Sequence, residues 1–292
     1  TGAPGGGKSA LLAHRIKDLS GRGPKHYKKA KGIVIVEYFI QKGTRYAERN
    51  YYLQYINQRL EKIFGTGIKI GTKPEEMADG LYKRLQKISQ KIKEGFVKDK
   101  ERITKLVLCI DGLDEANDLL PYIPVELYNN IVTIVSSRPT PQAEELYLQR
   151  FDREARRKVE LHGLQREDIR ALLYDVTNKY QLQEEYVEAV LERSQGNPLY
   201  LNLLCDELIE KKREANDVST LPGSIKEFYN EILQRLGNEA VEMLWLLAVA
   251  RDYITAVQAG EFLGIGVLEA EKRIHSAMEV LSINSNKSYD AY

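Results

Sequence analysis

Cysteine is scarce: two residues, Cys109 and Cys205, in a chain of 292, and neither has a CxxC or metal-type spacing partner. A disulfide framework is therefore excluded, and a reducing, cytoplasmic setting is the expectation. Cys109 sits inside an apolar run and reads as core packing. Long hydrophobic runs are also lacking. The longest, residues 243–250, is far short of the ~20 residues that a membrane-spanning helix needs, so no membrane segment is predicted. Excess charge of one sign is missing as well. The 43 Lys and Arg offset 42 Asp and Glu for a net charge of +1, which gives no whole-protein attraction to nucleic acid or an anionic membrane. Two local basic stretches, residues 15–31 and 83–105, read as solvated loop and helix face. There is no internal repeat and no low-complexity segment, and a chain of this length fits two or three compact units.

The start of the chain carries the most specific signal. Gly2-Ala3-Pro4-Gly5-Gly6-Gly7-Lys8-Ser9 fits G-x-x-x-x-G-K-[ST]. Glycines let a backbone wrap a phosphate chain with its N–H groups turned inward. A helix opening near Lys8 and continuing through Ala10 adds the positive end of its dipole. Lys8 is then expected to reach the β- and γ-phosphates, and the Ser9 hydroxyl to hold Mg²⁺. Gly2 to Ala10 is the candidate nucleotide-binding segment. The motif begins at residue 2, so the strand that should feed it is expected upstream, in a longer protein.

Residues 33–36 and 38–40 form a near-continuous apolar run between Gly32 and Gly43, the pattern of a strand buried on both faces of a parallel sheet. Leu53, Ile56, Leu60 and Ile63 recur at helical spacing, and so do Leu81, Leu85, Ile88 and Ile92, the latter with a Lys-rich outer face. Further strands are predicted at residues 106–110, 131–135 and 159–161. Strands alternating with helices predict a doubly wound parallel α/β layer. Beyond it the strands stop. Helices are predicted at 166–180, 184–193, 199–212 and 225–236, and three shorter ones from residue 239 onward.

The strand at 106–110 runs directly into Asp111-Gly112-Leu113-Asp114-Glu115. An apolar strand ending in a carboxylate is the Walker B arrangement, with Asp111 holding Mg²⁺ opposite Ser9. Gly112 stands where many motor ATPases place a catalytic Glu, so the water-positioning carboxylate is sought at Asp114 or Glu115. The strand at 131–135 then delivers Ser136, Ser137 and Arg138 to the same sheet edge, where ligands of open α/β folds bind. Arg138 is the candidate γ-phosphate sensor, because a planar guanidinium suits phosphate oxygens. The absence of an Asn-Lys-x-Asp guanine-reading motif favours ATP over GTP.

These three motifs, in this order, resemble the NACHT branch of the STAND ATPases, signal-transduction P-loop NTPases. The likeness is to the telomerase-associated, nephrocystin-like and bacterial antiviral members. It extends to Gly196-Asn197-Pro198, similar to the family's Gly-x-Pro motif, which implies that Pro198 contacts the adenine. The segment 221–236 resembles the bridge into a winged-helix domain, and 241–250 its first helix. The organisation implied is an NTPase core over 1–162, a helical domain over 163–236 and an incomplete winged-helix domain over 237–292. The winged-helix His that often meets the phosphate in this family is not identifiable; His275 lies inside a helical stretch.

The resemblance implies an ATP/ADP switch. ADP holds the resting state, exchange for ATP drives self-association into a ring or related oligomer, and slow hydrolysis resets it, in an antiviral or innate-immune setting. The trigger would be sensed by a domain outside this chain. Other readings are an AAA+ type motor, a P-loop kinase and a nucleic-acid-binding winged helix. The last is not favoured, since residues 267–280 offer only Lys272, Arg273 and His275 among three Glu.

Overall fold

A computed structural model describes residues 1–20, 30–116, 118–124, 128–145, 157–177, 181–250 and 254–282. The chain divides into two compact units, Thr1–Leu161 and His162–Tyr292. In the first unit, helix α1 (Lys8–Ser20) precedes strand β1 (Ile33–Phe39), helices α2 (Arg49–Phe64) and α3 (Pro74–Lys93), and a short β2–β3 hairpin (Val97–Lys98, Glu101–Arg102). Strand β4 (Lys105–Asp111), strand β5 (Ile131–Val135) and helix α4 (Pro141–Glu145) follow. The main sheet has the order β1-β4-β5, every pair parallel, with Phe39 opposite Asp111 and Ile110 opposite Val135.

Side-chain parity explains why the strands read as continuous apolar runs. Val36, Tyr38, Leu106, Leu108 and Ile110 join the core formed with α2 and α3. Val107 and Cys109 pack instead with Leu12 and Ile16 of α1. The central strand β4 thus buries both faces, whereas the edge strand β5 leaves Val132 and Ile134 exposed. β4 is buried from Leu106 through Asp111. Burial, with Glu37 nearby, pushes the Cys109 thiol up to about 12, so it is an inert packing group, as its sequence context suggests. Asp111 has the parity of Val107 and Cys109, on the α1 side of the sheet.

The basic stretch within 83–105 is only partly a solvated face. Arg84 of α3 is fully buried and bonds Glu61 Oε2 through Nε at 3.2 Å, together with Asn57 Oδ1 and the Ile68 carbonyl. One helical turn on, Lys87 donates to the Thr66 carbonyl at 2.6 Å, and Lys91 reaches the Phe64 and Gly65 carbonyls at 2.7 and 2.9 Å. The row therefore satisfies the carbonyls at the C-terminus of α2, which its own helix cannot pair. Gly65 closes that helix in the left-handed region.

Glu61 gives the arrangement a pH signature. Partial burial pushes its carboxyl up, but the Thr66 hydroxyl, the Gly67 N–H and Arg84 outweigh that and hold the pKa down at about 2. The folded value lies below the unfolded one, so the stabilisation is complete above the ordinary carboxylate range. It is lost as pH falls from about 4.5 to about 2. Urea denaturation across that interval should show a progressive loss of stability that Glu61→Gln removes.

Two segments differ from the sequence expectation. The β2–β3 hairpin was not anticipated; it pairs Val97 with Arg102 and Lys98 with Glu101, and turns through Asp99 and Lys100 at φ 51° and 65°. Residues 159–161 form no strand. They make a single parallel bridge from Leu161 to Gly2, with Leu161 N–H donating to the Thr1 carbonyl at 2.8 Å.

The second unit is helical: α5 (Arg166–Val176), α6 (Glu184–Ser194), α7 (Pro198–Ile209), α8 (Ile225–Leu236), α9 (Asn238–Val249), α10 (Ala256–Leu263) and α11 (Val267–Ser282). Helices α5 and α7 end earlier than predicted; residues 178–180 lie outside the described set, and the turn after α7 passes through Lys211 at φ 56°. One apolar core holds Tyr186, Tyr200 and Phe228; a second, around Met243, Ala259, Ala270 and Ala277, is built from α9, α10 and α11. Among the described residues no helix is long and apolar enough to cross a membrane. Most of the basic stretch 15–31 and the end of the chain from residue 283 lie outside the described residues.

Candidate nucleotide site

The glycine-rich segment folds as a tight loop into the N-terminus of α1. Gly5 and Gly7 adopt φ 69° and 78°, which side chains of L-residues rarely take. Gly6 N–H donates to the Ala3 carbonyl at 3.1 Å, and a Cβ on Gly6 would lie 2.9 Å from that oxygen. The loop therefore requires glycine at three successive positions. Gly2 is buried against Leu161, whereas Pro4, Ser9 and Ala10 are exposed. Lys8 folds back, its Nζ donating to the Gly2 and Ala3 carbonyls at 2.8 and 2.9 Å.

At the carboxyl end of β4, the Asp111 side chain accepts the Ser136 hydroxyl, and that hydroxyl in turn accepts Gly112 N–H at 3.1 Å. Ser136 thus orients the carboxylate of Asp111 and ties the two strand ends together. Sequence reading brought Ser136 to the sheet edge without giving it this task; its signal is the position directly after β5. Gly112 itself stands at φ 77°, and a Cβ there would lie 3.1 Å from the Ile40 carbonyl. A glutamate at this position would be strained, which accounts physically for the missing acid of the motor pattern.

The acidic pair separates in role. Asp114, whose side chain is 7% exposed, accepts Arg138 backbone N–H at 2.8 Å and pairs with Arg138 Nε at 3.1 Å. Glu115 is half-buried and accepts Lys42 N–H at 3.2 Å. Partial burial holds the Lys8 ammonium below the ordinary lysine value; Asp114 draws it up, Arg138 pushes it down, and Asp111 and Glu115 draw it up. The loop lysine therefore lies in the field of all four residues, and the first unit brings the three sequence motifs to one place. Pro198 belongs to the second unit, where it opens α7 behind the Asn197 cap.

These residues fit a magnesium–nucleoside triphosphate. A glycine cradle that a Cβ would fill, a helix N-terminus and a lysine suit polyphosphate. Ser9 and Asp111 are oxygen donors of the kind Mg²⁺ takes. Bound there, the metal would supply charge neutralisation between phosphate oxygens. Lys8 would exchange its loop carbonyls for phosphate oxygens, Ser136 would hold Asp111 in orientation, and Arg138 would present its guanidinium to the terminal phosphate.

No protein-family model and no curated protein matches the sequence. Several solved structures are similar in fold, two of them as follows. Cdc6p from Pyrobaculum aerophilum is 13% identical with a TM-score of 0.43, over 95% of this chain and 72% of that one. The Aeropyrum pernix ORC1 protein, in complex with DNA, is 15% identical with a TM-score of 0.40, over 97% of this chain and 76% of that one. At this identity and TM-score the likeness carries no inference about activity. The parallel α/β core with its glycine loop, followed by a helical unit, is the fold of this chain.

Proposed function

We propose that this chain is a Mg²⁺-dependent ATP-binding P-loop ATPase that uses its nucleotide state as a switch. The observation that carries the reading is the meeting of Lys8, Asp111, Asp114, Glu115 and Arg138 beside a glycine loop at the carboxyl edge of the sheet. Gly112, with its positive φ, supports a slow site, since the acid immediately after Asp111 is missing. Self-association on ATP binding, and a role in antiviral or innate-immune signalling, rest on the STAND resemblance. An AAA+ type ATPase is at least as compatible with the fold, and the turnover rate separates the two. A switch should turn over about once per minute or less, whereas a rate of ~1 s⁻¹ or more without a trigger favours the motor. Asp111→Ala should reduce turnover by roughly a hundredfold while the circular dichroism spectrum is kept. Unchanged turnover in that variant would sink the assignment of Asp111.

A further inference from the structure

Resting on the nucleotide-site reading, we propose that Asp114 is a positioning residue that latches Arg138 and thereby sets discrimination between ATP and ADP, rather than the group that activates water. Both of its oxygens face the end of β5. Oδ1 accepts the Arg138 backbone N–H at 2.8 Å, and Oδ2 pairs with Arg138 Nε at 3.1 Å. Arg138 thus engages each oxygen of the carboxylate once, inside a nearly closed setting, while the Ser137 hydroxyl gives its single proton to the Arg138 carbonyl at 2.8 Å. A general base needs an open lone pair within reach of water. Glu115 has that: among the described residues its one hydrogen-bond partner is Lys42 N–H, at 3.2 Å from Oε2.

The Arg138 side chain is suited to the complementary task. Asp114 grips its Nε edge and its backbone, while the side chain stays 49% exposed. Nη1 and Nη2 have no protein partner among the described residues, so one edge of the guanidinium fork is fixed and the other is open to an anion. The same strand end carries Ser136, whose hydroxyl holds Asp111 and accepts Gly112 N–H, and whose carbonyl accepts Leu113 N–H at 3.0 Å. The metal-side carboxylate and the phosphate-reading guanidinium are thus fastened to one rigid junction of β4 and β5. A charge that reads the terminal phosphate discriminates between nucleotides only if it cannot relax away from an empty position. The Asp114 carboxylate supplies that fixation.

The test compares the full chain with Asp114→Asn, Arg138→Ala, the double variant and Glu115→Gln. Mg-ATP and Mg-ADP affinities come from equilibrium titration, and turnover from phosphate release. Asp114→Asn and Arg138→Ala should each lower the ATP-to-ADP affinity ratio about tenfold, and the double variant should lower it no further, because both remove one coupled contact. Glu115→Gln should keep the ratio and lose turnover by about a hundredfold or more. A ratio that stays at the unaltered value in Asp114→Asn, with turnover lost as in Glu115→Gln, would overturn the latch. Arg138 is half-exposed, so its variant remains informative if Asp114→Asn fails to fold; an unchanged ratio in Arg138→Ala also overturns the proposal. Absence of Mg-ATP binding by the unaltered chain would overturn the site reading itself, and the latch with it.

Discussion

Lys8→Ala is expected to weaken Mg-ATP binding by about a hundredfold while the protein stays folded. Lys8 stands at the first residue of α1, where its ammonium meets the loop carbonyls of Gly2 and Ala3 rather than an acidic partner. The Ala3 contact is exposed and that carbonyl keeps the Gly6 N–H, so only the part-buried Gly2 carbonyl loses its donor and the folding cost is small. A phosphate oxygen would form a charge-assisted hydrogen bond instead, worth about 3 kcal/mol, which corresponds to the stated change in affinity. Titration calorimetry checks the first half of the prediction and thermal melting the second. Ordinary affinity in Lys8→Ala would remove the glycine loop from the site.

The second large effect is structural and lies away from that site. Arg84→Ala should destabilise the first unit by roughly 3–5 kcal/mol, read by urea denaturation. Arg84 is wholly buried between α2 and α3, and it is the common partner of Glu61, Asn57 and the Ile68 carbonyl. Its removal leaves a partly buried carboxylate, a buried amide and a loop carbonyl without their donor, in a cavity lined by packed helices. The loss should be smallest below about pH 2, where Glu61 is protonated in the folded state as well. A loss under about 1 kcal/mol at neutral pH would mean that water replaces the guanidinium and that the pairing is incidental.

The chemistry of the first unit was legible because its signals are local. A glycine loop, an apolar strand ending in Asp111 and a strand ending in Ser136-Ser137-Arg138 each fit in a window of under ten residues. Strand positions followed from continuous apolar runs, and residues 131–135 form the strand as predicted. What escaped reading depends on partners far apart in the chain. Arg84 sits in a basic row that reads as a wet helix face, and its burial follows from the way α3 lies across the end of α2. The hairpin at residues 97–102 is made mostly of charged residues, so it lacks the alternating pattern of a strand and depends on a two-residue turn at positive φ. The division of labour between Asp114 and Glu115 is also a tertiary property. Adjacent acids look equivalent in sequence, yet one faces β5 and the other meets Lys42.

The central claim is that the glycine loop, the end of β4 and the end of β5 form one magnesium–nucleotide site. Calorimetric titration of the full chain with ATP, in Mg²⁺ and again in excess chelator, tests it most directly when Lys8→Ala and Asp111→Ala are run beside it. The account predicts one saturable site that is strengthened by Mg²⁺, is nearly lost in Lys8→Ala, and in Asp111→Ala no longer responds to Mg²⁺. Equal binding by all three proteins, or binding indifferent to Mg²⁺ in the unaltered chain, would contradict it.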